Sequence, residues 1–125
     1  MTSTAHAMKI PGPDHPITIA RHSGRVVVKA AGRVIADSTN ALVLREAQYP
    51  PAYYIPREDA DMHSLEPSSH STYCPYKGPC SYFSIKGSEL GRNAVWSYET
   101  PYDAVADIKG HLAFYPDRVD SIEVG

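Results

Sequence analysis

Apolar and β-branched residues fall in short runs along this chain, and nearly every run is closed by Gly, Pro, Asn or Ser. Residues 17–21, Ile-Thr-Ile-Ala-Arg, place apolar side chains at alternate positions. That is the period of a half-buried strand, whose successive side chains point to opposite faces. His22-Ser23-Gly24 is turn material, and the valines of residues 25–30 favour a second strand. Ala31-Gly32 marks a tight turn into a returning strand at residues 33–38, so residues 17–38 read as a three-stranded meander. Residues 41–46 suit a buried strand or a short helix equally, and Tyr49-Pro50-Pro51 soon afterwards decides for strand.

The second half continues in this way. Residues 52–55 form a short aromatic strand ended by Pro56. Residues 57–65 have room for about two helical turns, with Met62 and Leu65 on one face. Residues 66–70 read as a polar loop, and residues 71–74 lead into a Pro75-Tyr76-Lys77-Gly78 turn with residues 80–85 returning. Residues 93–98 make a further strand, residues 102–109 a loop or one helical turn, and residues 111–115 and 119–124 a closing hairpin across Pro116-Asp117. Many short strands with regular turns predict a mostly β domain, built as an antiparallel barrel or as packed sheets.

Length and composition narrow the function. At 125 residues the chain has the size of one domain, large enough to bury a core without help from metal or disulfides. Pro11, Pro13 and Pro16 block helix at the N-terminus, so residues 1–14 read as a flexible leader and residues 15–125 as the domain. Fourteen acidic residues against 12 Lys plus Arg speak against the basic face of a nucleic-acid binder. No stretch has the length of a membrane span or of a signal peptide's apolar region, which sets the expectation of a cytoplasmic protein without a membrane partner. Nine tyrosines accompany two Phe and one Trp, and Tyr suits pocket walls because its ring buries while its hydroxyl finds a partner.

Candidate chemistry gathers in two segments. In Thr72-Tyr-Cys-Pro-Tyr-Lys-Gly78, Cys74 enters a tight turn with Lys77 three residues on. A nearby cation favours the reactive thiolate, and Lys77 beside turn amides can equally hold a carboxylate or phosphate. The alternative is a small buried cysteine before a structural turn. In residues 53–61, Tyr-Tyr-Ile-Pro-Arg-Glu-Asp-Ala-Asp, Arg57 can clamp an anion while Asp59 accepts a proton or joins Asp61 at a metal. Here the alternative is a helical first turn whose acids offset the helix dipole. Cys74 and Cys80 lie too far apart for a usual zinc pair, so no metal or other cofactor is expected, although a hairpin can bring the two close.

Arg45-Glu46, Tyr54-x-Pro56-x-x-Asp59, Thr72-x-Cys74-Pro75-x-Lys77-Gly78, Trp96-x-Tyr98 and Ala113-Phe114-Tyr115 occur in this order. Together they resemble Domain of Unknown Function 427, over roughly residues 15–124. The resemblance implies a β-tent (Mss4-like) architecture, two antiparallel sheets packed at an angle. Zinc-binding relatives of that architecture use paired C-x-x-C motifs, which this chain lacks, so zinc is not carried over. Cys80 departs from the small non-Cys residue the family implies there.

The expected site is a pocket between sheets, lined by Tyr54, Tyr73, Trp96 and Tyr98. Arg57 and Lys77 would hold an anionic group, and Cys74 or Asp59 would do any chemistry. Arg57, Asp59, Cys74, Lys77 and Trp96 are expected to converge there. The leading reading is a small-ligand site or enzyme, and the alternative is a module that grips a peptide or a modified side chain. A third reading, metal-dependent nucleotidyl transfer through Asp59 and Asp61, lacks a Gly-rich nucleotide loop. Oligomeric state is not legible. Because the core suffices for folding, the thermal midpoint should be the same with and without a strong chelator; stoichiometric zinc whose removal unfolds the domain would contradict this.

Overall fold

The computed structural model describes residues 7–125, so the first six residues of the expected leader lie outside the described residues. The strands in chain order are β1 (Ile17–Arg21), β2 (Val26–Ala30), β3 (Arg33–Ser38), β4 (Leu42–Glu46), β5 (Ala52–Tyr54), β6 (Leu65–Cys74), β7 (Gly78–Ile85), β8 (Val95–Ser97), β9 (Ala113–Phe114) and β10 (Ser121–Val124). The domain is mostly β: 47% of the described residues are strand against 13% helical, and the helical part consists of short 3-10 turns. Among the described residues the strands form three antiparallel sheets and no closed barrel: β1-β4-β5, β10-β2-β3 and β6-β7-β8-β9.

β2 and β3 form the expected hairpin, but the meander does not extend to β1. β1 pairs instead with β4, from Ile17 opposite Glu46 to Arg21 opposite Leu42. The His22 amide donates to the Ala41 carbonyl at 2.9 Å and carries that pairing one step further. Residues 22–25 therefore cross between sheets rather than turn within one. Burial gives the reason: Ile17 and Ile19 pack on the cluster around Leu44 and Tyr54, whereas Val26, Val28 and Ala30 bury in a different cluster with Ile35 and Val95.

The expected closing hairpin is also absent. A 3-10 turn at Pro116–Arg118 redirects the chain, so that β9 pairs with β8 and β10 with β2. Residues 66–70 belong to β6 rather than to a loop. The register against β7 jumps from Pro67–Phe83 to Ser71–Ser81, so residues 68–70 bulge out of the ladder. Residues 57–65 hold two 3-10 turns, Arg57–Asp59 and Met62–Ser64, in place of α-helical turns.

Two apolar clusters hold the sheets together. One joins β2 and β3 to Ile55, Leu65, Val95, Leu112 and Phe114, and the other gathers Leu44, Tyr54, Cys80, Tyr82, Tyr98, Val105 and Ile108. Ile55 and Leu112 link β5 to the approach to β9, their amides and carbonyls exchanging bonds of 2.8 Å each way. The described part of the leader is tied down as well: the Lys9 amide donates to the Pro75 carbonyl at 2.8 Å, and Gly12 bridges to His15. Ile55 is only 1% exposed where two sheets meet. Ile55→Ala should therefore lower the unfolding free energy by about 2–5 kcal/mol in a urea titration, and a loss under about 1 kcal/mol would contradict this packing.

Candidate functional site

The site is built at the junction of two sheets. β4 ends at Glu46, and the turn between β6 and β7 carries Lys77. The turn is fixed by the Lys77 amide on the Cys74 carbonyl at 3.2 Å and the Tyr102 amide on the Lys77 carbonyl at 3.1 Å. It exits through Gly78 at φ +106°, where an added Cβ would also lie 3.3 Å from the Thr100 carbonyl oxygen. Lys77 is 8% exposed, and its ammonium donates to Glu46 Oε1. The other oxygen of Glu46 lies 2.8 Å from His15 Nε2, and the His15 ring stacks on Tyr76 with centroids 3.9 Å apart. The Lys77 ammonium also lies 5.8 Å from the centre of the Tyr98 ring.

Burial pushes the Glu46 carboxyl up, but hydrogen bonds and charge from Lys77 and His15 outweigh it and hold the group below its usual range. A buried lysine needs a counter-charge, because an unpaired ammonium in this environment is costly. Glu46 supplies that charge across the sheet boundary.

Beside this pair opens a cleft of about 790 Å3. Its walls include Tyr54, Tyr82, Trp96, Tyr98 and Tyr115, with Leu44, Val26 and Ile122 as aliphatic surface. The indole N–H of Trp96 donates to the Tyr54 hydroxyl at 3.0 Å, with the rings edge to face at 6.1 Å. Trp96 also meets Tyr115 with centroids 4.5 Å apart. The hydroxyls of Thr72 and Tyr82 bond at 2.9 Å. Desolvation raises the phenols of Tyr54, Tyr82 and Tyr98 well above the ordinary tyrosine range, so they remain neutral hydrogen-bonding groups in physiological conditions. Both cysteines are free thiols in the cleft wall.

Five of the residues singled out from sequence line this cleft: Tyr54, Cys74, Lys77, Trp96 and Tyr98. Three lie elsewhere. The Tyr73 hydroxyl bonds to Tyr102 at 2.5 Å and to the Ala7 carbonyl at 3.3 Å. Arg57 donates to Glu99 at 3.2 Å and to the Gly110 carbonyl at 2.8 Å, with its guanidinium 5.3 Å from the Phe83 ring centre. Asp59 accepts from the Ser38 hydroxyl at 2.7 Å. The expected convergence of five residues thus brings together Cys74, Lys77 and Trp96 but not Arg57 and Asp59. The cause is local: after Pro56 the chain bridges to β3 through Ala60 and Ala36, which turns Arg57 and Asp59 toward other partners. Asp61 accepts from the Ser64 hydroxyl at 2.7 Å, so the two aspartates do not share a partner. Among the described residues no group of three or more His, Cys, Asp or Glu is placed to hold a metal ion.

The Domain of unknown function (DUF427) family matches residues 18–125. The chain belongs to that family. No curated protein matches the chain. The DUF427 match covers every strand except for the first residue of β1, and with them the Glu46–Lys77 pair and the aromatic walls of the cleft. From sequence, Glu46 stands only among the residues that carry the resemblance, and His15, Tyr82 and Tyr115 carry no site role. A signal for Glu46 was available: it continues the alternate positions of Leu42 and Leu44, so a carboxylate stands where the strand period places a core-facing residue.

The low-lying carboxyl of Glu46 in this DUF427 domain gives a pH signature. A group with a folded pKa below its unfolded value stabilises the fold above the unfolded value, and that stability is lost as pH falls through the folded one. The native chain should therefore be more stable than Glu46→Gln at neutral pH, by up to about 3 kcal/mol, the lower end for breaking a buried pair. The difference should shrink once the pH drops below the ordinary Glu value of 4.5. Denaturant titrations between pH 7 and 3 check this, and a difference that is constant or grows toward acid would contradict it.

Proposed function

We propose that the cleft of this DUF427 domain binds a small ligand with a largely apolar, ring-containing body and one polar end that meets the Glu46–Lys77 pair. The observation that carries this reading is a cleft of about 790 Å3 with aromatic walls, a size and character suited to small organic molecules. Tyr54, Trp96, Tyr98 and Tyr115 contact the body of the ligand, and Lys77 with Glu46 contacts the polar end. Because Glu46 already neutralises Lys77, an anionic ligand group competes with a built-in carboxylate. A ligand group that both donates and accepts hydrogen bonds meets the pair without breaking it. Cys74 is the nucleophile available to such a ligand; Asp59 and Arg57 play no part in this reading.

We place the domain in a cytoplasmic setting without a nucleic-acid or membrane partner, on the strength of its low cysteine count and a near-balanced charge. Among the described residues no helix is long and apolar enough to cross a membrane. The β-tent arrangement belongs to this proposal as well, with the cleft between the angled sheets as its working face. A peptide side chain is accommodated by the same walls, and competition between free small molecules and peptides separates the two.

Trp96 is the only tryptophan and lines the cleft, so its emission reports occupancy. A panel of small ring compounds with amide, carboxylate or ammonium ends should contain members that change this emission saturably and raise the thermal midpoint with concentration. Tyr115→Ala should weaken those members by about tenfold, equivalent to about 1.4 kcal/mol. If no compound saturates the emission change, or if binding is indifferent to Tyr115→Ala, the reading fails.

A further inference from the structure

The register of the β6–β7 hairpin places Cys74 opposite Gly78 and Cys80 opposite Thr72. The two cysteines are therefore diagonal neighbours on one face of the hairpin, two positions apart along β7. Gly78 has no side chain, so Cys74 faces no side chain directly across the ladder. Both thiols line the same cleft. They differ in exposure: Cys74 is partly exposed, whereas Cys80 is 2% exposed and its thiol is pushed up by burial.

We propose that Cys74 and Cys80 form a redox-responsive dithiol in the cleft wall, which a peroxide converts to an intrachain disulfide. The assignment stands on the hairpin register and does not depend on what the cleft binds. Cys74, the accessible member, loses its proton and attacks one oxygen of the peroxide. The O–O bond breaks, and the departing hydroxide takes up the proton to leave as water, giving a sulfenic acid on Cys74. Cys80 then loses its proton and attacks the Cys74 sulfur. The S–O bond breaks, and hydroxide with that proton forms the second water. Two electrons pass from the thiols to the peroxide, and the sum is dithiol plus hydrogen peroxide giving disulfide plus two waters.

Diagonal neighbours have Cα atoms roughly 7–8 Å apart, slightly beyond the usual disulfide span. Closure must draw the two strand ends together by about an ångström. The Pro75–Lys77 turn joins the two strand ends, so closure bears on the residue paired with Glu46. Oxidation therefore reshapes the polar end of the cleft.

The test uses the full chain titrated with hydrogen peroxide, followed by intact mass and peptide mapping. Cleavage after Lys77 puts Cys74 and Cys80 on separate peptides, so a bond between them is assigned by mass. Both thiols should disappear together with loss of two hydrogens, yielding one cross-linked peptide pair that a thiol reductant restores. In Cys80→Ser, checked for a native circular dichroism spectrum, Cys74 should stop as a sulfenic acid trapped by a dimedone probe. Sulfinic acid on Cys74 of the native chain with Cys80 still reduced, or disulfides found only between chains, would overturn the proposal even if a variant failed to fold.

Discussion

A lysine ammonium removed from water has to meet a carboxylate, and in this domain the two come from different sheets. Lys77 sits in the turn of one sheet and Glu46 at the strand end of another, each with about a tenth of its side chain exposed. The attraction constrains the position of a whole turn. His15 bonds to Glu46 and stacks on Tyr76, and the Tyr98 ring faces the Lys77 ammonium. Breaking such a pair from one side leaves a charge without a partner, which is why its geometry is more demanding than its net contribution to stability. The cleft inherits that constraint, since its polar end is defined by the pair and its walls by strands that the pair holds in place.

The aromatic walls follow from a second requirement. Buried phenols and a half-buried indole between sheets must still satisfy their polar atoms. Trp96 and Tyr54 do so with one another, and Thr72 with Tyr82. Each of these contacts crosses between strands, so the wall is a set of mutually oriented side chains rather than a loose apolar surface. The two thiols occupy this surface at positions set by hairpin register alone. Their pairing potential is thus a consequence of strand geometry, separate from the charge pair but joined to it through the Pro75–Lys77 turn.

Local chemistry was legible in the sequence where neighbours along the chain decide the outcome. The β2–β3 hairpin, the Pro75–Gly78 turn and the aromatic strand before Pro56 are examples, because turn residues and β-branched runs act over a few positions. Sheet partners were not legible in the same way. β1 and β10 both leave their sequence neighbours: β1 buries against a different cluster from β2, and the Pro116–Arg118 turn redirects the chain before β10. The site shows the same division. Cys74, Lys77, Tyr54, Trp96 and Tyr98 lie on strands and turns whose facing is set locally, and they reach the cleft, whereas Tyr73, one position before Cys74 on β6, does not. Arg57 and Asp59 look identical in kind from sequence, but a single bridge between Ala60 and Ala36 carries them away. Glu46 differs again: the strand period sets it on the side of Leu42 and Leu44, but its partner lies across the sheet boundary, which no local signal records.

The central claim is that Glu46 and Lys77 act as one unit holding the turn and the cleft. A double-mutant cycle of Glu46→Gln and Lys77→Met, followed by urea unfolding at neutral pH, measures it most directly. Residues acting as a unit should give a coupling energy of about 1.5 kcal/mol or more, with the double variant more stable than the two single losses sum to. Losses that add within about 0.5 kcal/mol would contradict the account, because they would mean that the two charges stabilise the fold independently of one another.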